Sequence, residues 1–183
     1  MRSLLVATAL VAASATAASA NPYLGLGIGT AASASGDMTT ANDGNRSGRL
    51  MLGTRFGHVS IEGAGSRYSL FLNGAVPYDG TMLAGALKYS LPLGNNFELF
   101  GRGGIERTWL SAGNTTAGNA YTWSGNGWLL GAGFEYRLNL GLTAASIFVD
   151  YEHSSSTLTT PAEMNVQRDE AIGLWTAGVT LAI

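Results

Sequence analysis

The stretch that decides the fold is Trp128-Leu129-Leu130-Gly131-Ala132-Gly133-Phe134-Glu135-Tyr136-Arg137-Leu138. Apolar side chains occupy every second position of this run, and glycine or a charged residue occupies most positions between them. A β-strand points successive side chains to opposite faces, whereas a helix would bring apolar residues together at intervals of three and four. The alternation therefore predicts a strand with one apolar face and one small or polar face.

The same alternation recurs in seven further segments, each of about ten residues or fewer, which is typical of outer-membrane barrel strands. They are Pro22–Thr30, Arg49–Phe56, Val59–Glu62, Met82–Leu91, Phe97–Glu106, Ala145–Glu152 and Gly173–Ile183. Tight turns at 56–58, 92–96 and 138–141 alternate with longer polar stretches at 31–47, 66–81, 110–124 and 154–168. Short turns at one end and long loops at the other predict antiparallel strands that run up and down, with both termini on the turn side.

Composition excludes several other classes of protein. The chain has 26 glycines, four prolines, no cysteine, 12% charged residues and a net charge of −2. Without cysteine there can be no disulfides, thiolate metal sites or lipoprotein acylation. A chain with no basic excess is not expected to bind nucleic acid, and two distant histidines do not suggest a metal site. Beyond residue 20, no apolar run is long enough for a transmembrane helix.

The first twenty residues predict a cleavable signal peptide. Arg2 is followed by the short apolar run Leu4–Ala13, and Ala18-Ser19-Ala20 has the small-residue pattern that signal peptidase cleaves. The expected division is therefore a signal peptide at 1–20 and a single domain at 21–183.

The apolar face of the strands is expected to point outward, toward lipid. It carries aromatic side chains near the strand ends, as expected of girdles at the two membrane interfaces. These residues are Phe56, Tyr89, Phe97, Trp109, Trp128, Tyr136, Tyr151 and Trp175. A soluble barrel of the lipocalin kind is the alternative, with the same period but with its apolar face inward.

The opposite face carries five cationic and six acidic side chains, which can pair inside a closed lumen. They are Arg49, Arg55, Lys88, Arg102 and Arg137 together with Glu62, Glu98, Glu106, Glu135, Asp150 and Glu152. Unpaired backbone groups are costly in hydrocarbon, so the sheet must close, and eight strands leave an interior that side chains fill. The fold class expected is all-β: a closed, eight-stranded, antiparallel, up-and-down transmembrane β-barrel with a plugged polar interior.

These segments resemble the small bacterial outer-membrane β-barrel proteins, a group that includes the OmpA transmembrane domain, OmpX-like proteins and opacity-type surface antigens. The resemblance lies in the signal ending Ala18-Ser19-Ala20 and in Tyr23–Gly29, Phe134–Leu138, Phe148–Tyr151 and Leu174–Ile183. One departure is Ile183, where the family usually ends in an aromatic residue.

The resemblance implies a monomer in the bacterial outer membrane, without a cofactor. Its partners would be outer-membrane lipid, lipopolysaccharide and, during biogenesis, the barrel-assembly machinery. The implied roles are structural, surface-antigen or adhesin-like, with an extracellular ligand bound through the loops.

Two alternative functions remain open at this stage. His153 and Ser155 lie two apart on one strand face, where an imidazole can act as general base toward a hydroxyl. The position resembles the His-x-Ser-Asn motif of lipid A 3-O-deacylases, but Ser156 replaces the asparagine, and Glu163, Asp169 and Glu170 do not clearly supply the acid. The second alternative is a narrow channel for small solutes, along charges such as Arg102. Gly25, Gly27 and Gly29 are interpreted as small inward residues that leave space for neighbouring side chains.

Overall fold

The structure is a computed structural model that describes residues 20–30, 32–36, 46–72, 76–112, 122–139, 144–159 and 167–183. These residues form nine strands: β1 (Asn21–Gly29), β2 (Ser33–Gly36), β3 (Ser47–Phe56), β4 (Val59–Leu72), β5 (Val76–Pro92), β6 (Phe97–Ala112), β7 (Thr122–Asn139), β8 (Ala144–Thr159) and β9 (Gln167–Ala182). The described ranges include no helix with the length and hydropathy needed to cross a membrane. The predicted signal peptide lies outside them except for Ala20.

The sheet closes on itself as a ring of eight strands. Each strand from β3 to β9 pairs antiparallel with the next, β1 pairs with β3, and the β1–β9 pairing completes the ring. The short β2 also pairs with β9, at Ser33–Gly36, beyond the segment that pairs with β1. The segments β1 and β2 therefore share one position in the ring. The predicted all-β, eight-stranded antiparallel barrel is confirmed.

A path that follows directly paired residues once around the barrel returns to its starting strand ten residues away, and this shift is the stagger of the barrel. Directly paired residues lead from Thr180 on β9 through Gly25, Met51, Ala64, Ala84, Glu106, Gly127 and Ser156 back to β9 at Glu170. A stagger of ten over eight strands corresponds to a strand tilt of about 40°. A barrel of this size has an interior that side chains can fill.

The two faces have the predicted orientation. Leu99 and Phe134 are 36% and 50% exposed on the outer surface, whereas Glu98, Arg102 and Glu135 are at most 5% exposed. A soluble barrel requires the reverse arrangement. The exposed outer side chains form what we call the apolar belt: Leu26, Ile28, Leu50, Leu52, Val59, Ile61, Leu83, Leu87, Tyr89, Leu91, Phe97, Leu99, Ile105, Trp128, Leu130, Phe134, Tyr136, Ile147, Val149, Tyr151, Trp175, Val179 and Leu181.

The barrel has a turn end and a loop end, as predicted. Tight turns join β3 to β4 at 57–58 and β5 to β6 at 93–96, and Gly57 and Gly94 adopt φ angles of 62° and 147° that favour glycine. The third turn, at 140–143, falls outside the described ranges, as do most residues of the loop-end connections.

The predicted boundaries of all four long loops are wrong, because the strands continue into them. The connection expected at 66–81 is mostly the paired ends of β4 and β5, and β8 runs to Thr159. The expected loop at 31–47 includes the strand β2, and the expected loop at 110–124 includes the ends of β6 and β7. Beyond the apolar belt neither face of a strand contacts lipid, so the period-two contrast disappears although the backbone pairing goes on.

Inward glycines make room for larger side chains, as predicted for Gly25, Gly27 and Gly29. A Cβ atom on Gly25 would lie 2.4 Å from Cγ of Met51, and one on Gly133 would lie 2.7 Å from Cζ of Phe100. The outward Gly63 and Gly85 differ, because a Cβ atom on either would meet nothing within 4 Å. The interior is therefore close-packed around Gly25 and Gly133, whereas the outer face is open at Gly63 and Gly85.

We expect Gly133→Ala to destabilise the barrel by roughly 1–3 kcal/mol, the usual cost of overpacking a filled interior. The added methyl group would lie 2.4 Å from the carbonyl oxygen of Val149 as well as against Phe100. The matched control is Gly63→Ala, which adds the same group to the open outer face. Urea unfolding midpoints in lipid vesicles measure the difference, and equal midpoints for the two variants would contradict the packing argument.

Candidate functional site

The candidate site is the charged interior, where the structure places all eleven predicted side chains. All except Arg55 and Arg137 are buried, and the side chains of those two are 16% and 44% exposed at the turn end. Alternation along each strand directs these side chains inward, and ring closure brings them together from six different strands.

A central cluster forms around Arg102. Its Nη1 lies 3.4 Å from Oε2 of Glu62, its Nε lies 3.3 Å from Oε2 of Glu152, and its Nη2 contacts Asp150. From the opposite side of the lumen, Arg49 donates a 2.9 Å hydrogen bond from Nη2 to Oε2 of Glu152. The cluster thus holds two guanidinium groups against three carboxylates. Burial of charge is tolerable only with such pairing.

A second cluster lies nearer the turn end. Lys88 Nζ is 2.7 Å from Oε2 of Glu135 and 3.6 Å from Oε1 of Glu62, so Glu62 belongs to both clusters. Arg55 binds Glu98 through two hydrogen bonds of 2.8 and 2.9 Å. Arg137 Nη2 approaches the same carboxylate to 2.6 Å. Below these side chains, a vestibule of about 370 Å³ opens at the turn end.

Sequence reasoning missed the aromatic residues that complete this network. The Tyr23 hydroxyl donates a hydrogen bond to Glu62, and Lys88 Nζ lies 4.3 Å from the centre of the Phe100 ring. Phe100 and Phe148 are each 3% exposed and pack with Met51. Their inward direction follows from the alternation, but a criterion based on charge does not select them.

Toward the loop end the interior changes from ionic to apolar. A cluster of buried side chains occupies this part of the lumen: Ala32, Tyr68, Met82, Leu110, Leu158, Ile172 and Leu174. Glu106 and Glu170 are also buried at this end, at 5% and 1% exposed, and their carboxyl oxygens have no hydrogen-bond partner among the described residues. The expected charge pairing therefore does not extend to Glu106. Its neighbours in the described ranges include the carboxylates of Glu152 and Glu170 and the hydroxyl of Ser154, but no cation. Glu170 was not predicted as an interior residue.

The predicted girdle residues lie on the outer face at different heights. Phe97 and Tyr136 lie at the turn end of the apolar belt with ring centres 6.3 Å apart, and Tyr151 and Trp175 lie toward the loop end with centres 5.1 Å apart. Trp109 lies beyond the belt, because Ile105 and then Arg107 precede it on the outer face of β6.

No catalytic arrangement forms around His153 and Ser155 in the described part of the chain. Both side chains are on the outer face and share no hydrogen bond, and the His153 ring lies 5.9 Å from that of Trp128. Among the candidate acids, Asp169 accepts a 2.7 Å hydrogen bond from Thr157, Glu170 is buried in the lumen, and Glu163 lies outside the described residues. Nor do the described residues contain a group of three side chains suited to a metal ion.

Solved outer-membrane proteins have the same fold. Neisserial surface protein A matches with a TM-score of 0.72 and 15% sequence identity, over 88% of this chain and 97% of that one. Ail, the attachment invasion locus protein of Yersinia pestis, matches with a TM-score of 0.57 and 13% identity, over 90% and 97%. A second structure of Ail, in complex with the heparin analogue sucrose octasulfate, matches with a TM-score of 0.56 and 14% identity. At these identities the likeness shows the fold alone.

Sequence comparison identifies the family directly. A comparison with curated protein sequences finds no significant match. The family profile of the outer membrane protein beta-barrel domain matches residues 3–180, nearly the whole chain. Together with the apolar belt, the closed ring and the charged lumen, this match shows that the chain belongs to the outer membrane protein beta-barrel domain family and is a protein of the bacterial outer membrane.

Proposed function

We propose that this protein is a sealed monomeric barrel that acts at the cell surface in a structural, surface-antigen or adhesin-like role. The proposal of a sealed lumen is supported by the burial of the central cluster, in which the side chains of Arg102 and Asp150 are 1% and 0% exposed. A conducting path along these charges would leave them open to water. The apolar cluster lies between this layer and the loop end and adds a second barrier.

The surface role is supported by the loop end. Strands β4, β5 and β8 continue beyond the apolar belt, and the strand ends that flank residues 37–45, 73–75, 113–121 and 160–166 all lie on that side. At the mouth, the Arg168 guanidinium lies 5.3 Å from the centre of the Trp123 ring. Aromatic and arginine side chains are typical of binding surfaces. We propose that the extracellular ligand binds here, and note that Ail, a structural neighbour, was crystallised with a heparin analogue.

Export and assembly form part of the same proposal. Residues 1–20 would be removed as a signal peptide, and the barrel-assembly machinery would insert the remaining chain. The outer leaflet then places lipopolysaccharide against the apolar belt. No cofactor or nucleic acid enters this function.

Two other functions would give experimental results different from those expected of the proposed surface role. An acyl hydrolase acting through His153 and Ser155 would release fatty acid from lipopolysaccharide, and the release would be lost in Ser155→Ala. A small-solute channel would conduct ions in planar bilayers. We expect neither activity, and either one would contradict the proposed role.

We expect Arg102→Met to destabilise the barrel by about 3–5 kcal/mol, because Glu62, Asp150 and Glu152 would keep their buried charge without its main partner. Arg137→Met is the control, since Arg137 is partly exposed and its partner Glu98 keeps Arg55. Urea unfolding midpoints in lipid vesicles measure both variants. An Arg102→Met barrel as stable as the control would contradict the role given to Arg102 in compensating the buried carboxylates.

We also expect the loop end to face outward from the cell. An epitope inserted after Gly118, in the connection between β6 and β7, should be labelled by antibody on intact bacteria. The same epitope inserted after Gly94, in a turn at the opposite end, should be labelled only after the outer membrane is permeabilised. The reverse pattern would contradict the surface role, and unchanged heat-modifiable gel migration would confirm that both barrels fold.

A further inference from the structure

Among the residues that the structure describes, the lysine and arginine side chains outside the lumen are all at one end of the barrel. Ten lysine and arginine residues occur in the sequence; five belong to the interior clusters and Arg2 to the predicted signal peptide. The remaining four are Arg46, Arg67, Arg107 and Arg168, and each lies toward the loop end of its strand or beside it. In the described residues, the outer face of the barrel carries no lysine or arginine nearer the turn end.

Two of these arginines lie together at the edge of the apolar belt. On the outer face of β5, Thr81 pairs with Arg67 of β4, and Leu83 pairs with Arg107 of β6. The two arginines therefore flank β5, and strand spacing puts their Cα atoms roughly 10–12 Å apart. Side chains as long as arginine can converge on one group placed over Thr81.

The surroundings of the pair have the polarity of a lipid headgroup boundary. Leu83 and Ile105, 54% and 75% exposed, lie next to Arg107 on the side toward the membrane. Trp109 lies on the other side, and the Arg107 guanidinium is 5.3 Å from the centre of its ring. Tryptophan favours the membrane interface, and a stacked guanidinium is held in a limited range of positions.

Existing contacts leave both guanidinium groups accessible. The nearest carboxylate belongs to Asp79, 4.0 Å from Nη2 of Arg67, and these two side chains are 59% and 77% exposed. Asp79 also accepts a 3.1 Å hydrogen bond from Ser69. An exposed ion pair of this length contributes little, so a phosphate can replace it. Arg107 is exposed and has no carboxylate partner in the described residues.

The outer face beneath Arg67 also has space for an acyl chain. Gly65 and Gly63 are the next outward residues of β4 toward the membrane, and Gly63 pairs with Gly85 of β5. Gly63 and Gly85 leave a shallow furrow beside Leu83 and Leu87, since a Cβ atom on either glycine would meet nothing within 4 Å, and a Cβ atom on Gly65 would meet only Leu83, at 3.4 Å. The arginine pair at the belt edge forms the site, and the furrow only adds room beside it.

We propose that Arg67 and Arg107 bind a phosphate group of lipid A, the membrane anchor of lipopolysaccharide, with Trp109 beside the headgroup and an acyl chain along Gly63, Gly65 and Gly85. Guanidinium groups bind phosphate through paired charge-assisted hydrogen bonds. The inference rests on the lipopolysaccharide contact proposed above and assigns residues to it. It does not depend on a ligand of the loops.

Native mass spectrometry of the full-length barrel in detergent tests the site, with lipid A bearing both phosphates as the probe. We expect the double variant Arg67→Gln/Arg107→Gln to retain lipid A about tenfold less than the unaltered barrel, because two arginine contacts to an anionic lipid are lost. Arg46→Gln is the matched control, as it removes a loop-end arginine beside β3 that does not border β5, and it should retain lipid A as the unaltered barrel does.

Lipid A without its phosphates distinguishes binding through the phosphate groups from binding through the acyl chains. We expect the unaltered barrel to retain it as weakly as the double variant retains the phosphorylated lipid. Equal retention of the two lipids, or of phosphorylated lipid A by the double variant and the unaltered barrel, would overturn the proposal. Heat-modifiable migration monitors folding of each variant, and epitope labelling tests the surface role separately, so failure of one can be told from failure of the other.

Discussion

Closure of the backbone hydrogen-bond ring is the constraint on which the rest of this structure depends. A strand edge exposed to hydrocarbon would leave a row of unpaired N–H and C=O groups, each costing several kcal/mol. The β1–β9 pairing removes that edge, and the stagger of ten residues sets how wide the lumen is. Crowding in this narrow lumen explains why Gly25 and Gly133 lie beside the large inward side chains of their paired residues, Met51 and Phe100. It also explains why Arg49 can reach Glu152 across the lumen.

The lumen combines two kinds of filling with different energetic consequences. In the turn-end half, arginine and lysine bind carboxylates closely, and Glu62 links the central cluster to Lys88. In the loop-end half, Tyr68, Leu110 and Leu158 are buried together, and the carboxyl groups of Glu106 and Glu170 lie there without a cation from the described part of the chain. An ionic cluster specifies one arrangement of partners but is vulnerable to loss of any of them, whereas apolar packing tolerates change more evenly. The paired half should therefore dominate the effect of single substitutions.

The residues of each long strand lie in three environments: the charged lumen, the apolar belt and the region where the belt ends. The role of a residue depends on which of these it occupies. On β6 the inward Arg102 is buried among carboxylates, the outward Ile105 contacts lipid, and Arg107 lies where the belt ends. The proposed extracellular ligand site lies at the loop end, and the proposed lipid site lies on the outer face at the belt edge. The two proposed sites use separate residues, so one can vary without disturbing the other or the charged interior.

Alternation in the sequence alone determined which residues face lipid and which face the lumen, because side-chain direction in a strand is a local property. It placed Leu99 outside and Glu98 inside, and it accounted for Gly25. It could not locate the ends of β4 and β8, since the contrast between faces vanishes beyond the membrane. Nor could it show that Arg102 meets Glu62 and Asp150, that Glu106 lacks a cation, or that Arg67 and Arg107 flank the same strand. Those relations join residues far apart in the chain, and only the register and closure of the barrel decide them.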